Sequence, residues 1–205
     1  MTKTHMRREI EEIPQAVARL LDRGTGAIRA SADDLRKIEP LFVASIARGS
    51  SDHAALFLKY ACELTLAITN EPGAALAQIR RKEAALKFKE TSQVHAESYS
   101  SAEVLHGPVS IVGADYPVLA LASGDAAEAS LVAVADGLTA NGAKVVVTSS
   151  SAMAATILPS VRTGHGLTDP LALIVSFYAF VEGFSRSRGY NPDAPRNLRK
   201  VTETV

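Results

Sequence analysis

The chain has 205 residues, 47% hydrophobic and 21% charged, the size and composition of a globular protein able to bury a core, which excludes a disordered segment. Twenty-two basic residues balance twenty-two acidic ones, so no net field draws the chain to a nucleic-acid backbone or an anionic membrane, and a small ligand is expected. The lone Cys62 allows no internal disulfide, the charged start MTKTHMRREIEE lacks the apolar core of a secretory signal, and the longest apolar stretch, Leu171 to Phe184, is too short to cross a bilayer; a cytoplasmic protein is expected.

In chain order, Ile10, Ile13, Val17, Leu20 and Leu21 give Met6 to Asp22 the spacing of an amphipathic helix, with Pro14 inside it and the Gly24–Gly26 region as its stop. Leu41 to Ala47 is a short apolar run before a Gly-Ser turn, and Asp52 to Glu63 reads as helix. A second helix, Lys82 to Thr91, leads to a loop holding His106-Gly107-Pro108. Pro108 to Val112 and Pro117 to Ala122 are candidate strands. Ala126 to Ala140 is a helix stopped by Asn141-Gly142, and Lys144 to Thr148 is a buried strand, which together imply a parallel crossover. Thr168-Asp169-Pro170 caps a last helix running to Arg188, with Gly189 as its stop and a polar, irregular tail beyond Pro192. The class is α/β, with a parallel sheet between layers of helices.

Three groups of residues suit chemistry. Gly49-Ser50-Ser51 lies between a candidate strand and a helix, where backbone N–H groups, hydroxyls and the helix dipole favour a phosphate; an ordinary helix cap has the same composition. Glu83, Lys87 and Glu90 stand at i, i+4 and i+7 and therefore project from one face of their helix. A carboxylate beside an ammonium can move a proton between neighbouring carbons while the cation stabilises an enolate oxygen; a solvated face with one ion pair has the same spacing. His106 can deliver a proton near neutral pH, as the opening of a cyclic sugar requires, although a lone loop histidine is commonly structural. His5, His53, His95 and His165 form no close ligand pair, so no metal is expected, and no dinucleotide or nucleotide fingerprint implies an organic cofactor.

The run EAALKFKETSQVHAESYSSAEVLHGP, Glu83 to Pro108, resembles the second-half signature of the SIS (sugar isomerase) family, nearest to the isomerase domain of glucosamine-6-phosphate synthase and to stand-alone glucosamine-6-phosphate deaminases. ARGSSDHAALFLKYACE and DAPRNLRKVTETV agree with it, so the resemblance covers most of the chain. It implies a flavodoxin-like three-layer sandwich, with residues 1–81 as an N-terminal helix and partial first half and 82–205 as the second half and tail. It also implies a homodimer with shared active sites, and no cofactor. Residue by residue, it implies that Ser51, with Gly49 and Ser50, holds the phosphate and that Glu90 moves a proton between C1 and C2. Glu83 and Lys87 tune that carboxylate, His106 opens the ring in the neighbouring subunit, and Lys200 contacts the open-chain sugar and can form an imine with a ketose.

The resemblance has two departures. Thr2 stands where the glutamine-hydrolysing domain has its nucleophilic cysteine, so glutamine-dependent synthesis is not expected of this polypeptide alone, and the family's Ser-Gln-Ser-Gly loop is missing. The first half is also short. CELTL runs straight into AITNEPG, and Ala75 to Arg81 passes from a turn into the catalytic helix without the strand that should precede it. Junctions are therefore expected between Glu63 and Ala67 and between Ala75 and Arg81, either from joined segments, with consecutive Cα atoms far more than about 3.8 Å apart, or from a true deletion. The expected activity is deamination and isomerisation of an amino-sugar phosphate such as glucosamine 6-phosphate. The alternative is a sugar-phosphate sensor without turnover, a role found among family members fused to DNA-binding domains.

Overall fold

The computed structural model describes residues 3–38 and 72–198. Among these residues, five α-helices run over His5–Ile38 (α1), Pro72–Ser92 (α2), Ser101–Leu105 (α3), Glu128–Ala140 (α4) and Asp169–Ser187 (α5), and three strands over Pro117–Ala120 (β1), Lys144–Val147 (β2) and Thr156–Ile157 (β3). The strands form one parallel sheet in the order β1-β2-β3, with Pro117 opposite Lys144 and Val146 opposite Thr156.

Alternation along β1 sorts the core into two layers, because successive strand side chains point to opposite faces. Val118 and Ala120 pack with Val145, Val147, Ala135 and Leu138 under α4. Leu119 and Leu121 pack instead with Ala84, Leu173, Phe177 and Val181 of α2 and α5. Helices thus cover both faces of the sheet, the three-layer α/β arrangement anticipated from the sequence. Phe88 joins the two helices of one layer, its ring meeting those of Phe177 and Phe184 edge-on, each at 5.7 Å between centroids.

Several expectations are corrected. α1 does not stop at Gly24–Gly26 but continues to Ile38. A glycine costs a helix only about 1 kcal/mol relative to alanine and removes no backbone donor. Here Gly24 sits against the Leu20 and Ile28 side chains, within an otherwise regular helix. Pro108 to Val112 is not a strand: Pro108–Ile111 forms a 3-10 turn, with Ser110 N–H donating to the Gly107 carbonyl at 2.9 Å. At three residues per turn, Val109 and Val112 fall on one side and both reach the core, which strand alternation would not allow. Thr168 occupies the position before α5 but makes no side-chain cap; its hydroxyl instead bonds that of Thr163 at 2.6 Å. α2 crosses Ala75 to Arg81 as one uninterrupted helix, so neither a preceding strand nor a break falls there. The other expected junction, Glu63 to Ala67, lies outside the described residues, as do the expected strand Leu41 to Ala47 and helix Asp52 to Glu63.

Candidate functional site

α2 presents Glu83, Lys87 and Glu90 on one face, as their spacing requires, but the three differ in depth. Glu83 is only 5% exposed, whereas the Lys87 and Glu90 side chains are about a fifth and a quarter exposed. Lys87 Nζ donates to Glu90 Oε2 at 2.7 Å and lies 3.7 Å from Glu83 Oε1. The ammonium therefore sits between two carboxylates, bonded to the outer one. From α5, Tyr178 donates its hydroxyl to Glu83 Oε1 at 2.9 Å. Burial, followed by the charge of Glu83, pushes the Tyr178 phenol well above its ordinary pKa, so it remains a protonated donor.

Beyond Glu90 the helix ends in a fixed way. Gln93 takes a left-handed conformation with φ 52°, and Val94 N–H turns back to the Phe88 carbonyl at 3.2 Å. The buried Ser185 hydroxyl of α5 donates to the Thr91 carbonyl at 2.5 Å, tying this end of α2 to its neighbour. Next to it opens a cavity of about 400 Å³ lined by Glu90, Thr91, Gln93, Tyr190, Asn191 and Arg196. Its walls combine a carboxylate, two amides, a guanidinium and an aromatic ring, a lining suited to a polyhydroxylated anion.

The remaining expected residues are placed differently. His106 is exposed at the C-terminal end of α3, and its ring makes no hydrogen bond or ion pair with the described residues. The described contacts do not join it to the Glu83, Lys87 and Glu90 face. Gly49, Ser50, Ser51 and Lys200 lie outside the described residues. Among the described residues no cluster of side chains suits a metal ion, and no helix is long and apolar enough to cross a membrane.

Three features escaped the sequence reading. Tyr178 stands 95 positions from its partner, and no local pattern announces the contact. The same is true of Arg162, which bridges the carboxyl ends of the first two strands by donating to the Ala122 carbonyl at 2.9 Å and the Thr148 carbonyl at 3.3 Å, and which pairs with Glu128 Oε1 of α4 at 2.6 Å. The third is α3, which falls in a stretch read as loop, although a local signal was present: Ser100 and Glu103 form a capping box, Ser100 N–H donating to Glu103 Oε2 at 2.6 Å and Glu103 N–H to Ser100 Oγ at 3.1 Å.

Comparison with known proteins places this geometry among relatives. Residues 82–156 match the SIS domain model. A crystal structure of a protein described as a phosphosugar isomerase, from Silicibacter pomeroyi DSS-3, superposes with a TM-score of 0.77 at 33% identity, covering 93% of this chain and 100% of that one. Glutamine--fructose-6-phosphate aminotransferase [isomerizing] from Aeropyrum pernix is 33% identical over 184 residues, covering 86% of this chain and 28% of the relative. The Mycolicibacterium smegmatis protein of the same name is 31% identical over 193 residues, covering 87% and 30%. The chain thus spans less than a third of the length of these two relatives.

Proposed function

Because this chain belongs to the SIS domain family, we propose that it is a phosphosugar isomerase acting on an amino-sugar phosphate, converting glucosamine 6-phosphate and water to fructose 6-phosphate and ammonia. The observation that carries the reading is the Lys87 ammonium held 2.7 Å from Glu90 Oε2, with Glu90 at the wall of a polar cavity.

The chemistry follows from these groups. The cyclic sugar opens when a proton leaves the C1 hydroxyl and another reaches the ring oxygen, a transfer suited to the imidazole of His106. Glu90 then removes the C2 proton, and Lys87 stabilises the negative charge that develops on the C1 oxygen. Glu90 returns the proton to C1 while a proton passes from the nitrogen to the C1 oxygen, leaving a C1 hydroxyl and an imine at C2. Water adds to that carbon and ammonia departs, giving the ketose. Glu83 holds Lys87 from the other side, and Lys200 contacts the open chain and can form an imine with a ketose. Gly49, Ser50 and Ser51 take the phosphate. The exposed position of His106 suits a homodimer in which each histidine serves the partner's site. Hexose phosphates are cytoplasmic metabolites, and the reading implies that compartment.

The test is to incubate the protein with glucosamine 6-phosphate and a panel of other amino-sugar phosphates while measuring ammonia and ketose phosphate. Stoichiometric formation of both supports the reading. Tight binding without turnover of any of them overturns it in favour of a sensor.

A further inference from the structure

Glu83 is almost wholly buried, and burying a polar group is costly unless it is hydrogen-bonded. Its bond from Tyr178 has a second consequence, because the oxygen that accepts the phenol, Oε1, is also the one facing Lys87 Nζ at 3.7 Å. We propose that Tyr178 is a positioning residue for proton transfer: its hydroxyl fixes the Glu83 carboxylate, which holds Lys87 against Glu90. The inference rests on the reading of Glu90 as the transferring base.

Tyr178 is built as a strut. It packs against the cluster formed by Ala84, Leu173, Phe177 and Val181, with the neighbouring Phe177 ring 6.0 Å away. It does not line the cavity beside Glu90. Its influence on the reaction therefore passes through Glu83 and Lys87 rather than through a contact with the sugar. Without the hydroxyl, Glu83 loses a donor on the oxygen that faces Lys87, and the ammonium is held less firmly between its two carboxylates. A lysine held firmly from one side only would stabilise the developing C1 oxyanion less well, so the loss should fall on the chemical step rather than on binding.

The experiment is a double-mutant cycle of Tyr178→Phe, Glu83→Gln and the pair, with two readouts. With glucosamine 6-phosphate as substrate, Tyr178→Phe is expected to lower kcat about tenfold, since hydrogen bonds to charged groups are worth roughly that much, with KM changed less than about twofold. Without substrate, the 15N-detected ammonium protons of Lys87 should exchange with water several-fold faster. In the Glu83→Gln background, Tyr178→Phe should add little to either effect. Additive losses, or an unchanged Lys87 exchange rate, overturn the proposal and leave Tyr178 a packing residue. A parent protein that turns over no amino-sugar phosphate overturns the functional reading instead, and the Lys87 exchange cycle then decides the positioning role by itself. Should Tyr178→Phe fail to fold, Tyr178→Met removes the same hydroxyl and carries the same test.

Discussion

Glu90 is the residue on which the proposed chemistry turns. Glu90→Gln removes the base while keeping the shape of the side chain, and the amide oxygen can still accept from Lys87. The expected outcome is a kcat lower by about two to four powers of ten, with sugar-phosphate affinity by calorimetry nearly unchanged. A variant within threefold of the parent would reject Glu90 as the base. A second residue tests structure rather than chemistry. Asp136 on α4 accepts the N–H groups of Met153, Ala154 and Ala155 at 3.0, 2.9 and 2.9 Å, holding the segment that leads into β3. These bonds, that of Met153 first, hold its carboxyl below the usual aspartate value. Because the folded value is the lower one, the stabilisation is present above the ordinary aspartate pKa and is lost as pH falls through the folded value. Asp136→Asn should therefore melt below the parent at neutral pH, and the difference should close as the solution is acidified. A difference independent of pH would show that the charge contributes nothing.

At the scale of elements, strong contacts near the start of α1 attach it to α5 and the tail. Glu182 of α5 has no exposed surface and accepts from Arg7 Nη2 at 2.5 Å and from Thr4 Oγ1 at 2.7 Å. Asp193 in the tail accepts the His5 and Met6 N–H groups at 2.6 and 2.8 Å, satisfying backbone donors that a helix start leaves open. Burial pushes the Glu182 carboxyl up, but the bonds from Thr4 and Arg7 and the charges of Arg7 and Arg186 outweigh it and hold the pKa below the usual glutamate value. Arg7→Ala would leave that carboxylate buried without its main partner, and roughly 3 kcal/mol of stability should be lost in urea unfolding. A loss under about 1 kcal/mol would mean that the pair behaves like a surface ion pair.

At the scale of the whole molecule, the reading calls for two chains. His106 is exposed and has no described contact with the face of α2 that carries Glu90, and on the proposed reading a partner's histidine completes the site. Mixing His106→Ala protein with Glu90→Gln protein should restore part of the activity, because hybrid dimers contain one site with both residues intact. Full activity from a monomer in light scattering would sink this.

The α2 face with Glu83, Lys87 and Glu90 was set by the sequence alone, because helical spacing is a local property. So were β1, β2 and α4, each announced by an apolar run or a stop signal near its observed bounds. The end of α1 and the 3-10 turn at Pro108 were not: the glycines at 24 and 26 cost the helix too little to stop it, and Val109 and Val112 both reach the core only at three residues per turn. The depth of Glu83, its Tyr178 partner and the Arg162 bridge between strand ends were settled only by tertiary structure. Their partners lie tens of residues apart in the chain. Only the packing of α2 on α5 and the closing of the parallel sheet bring them within hydrogen-bond reach.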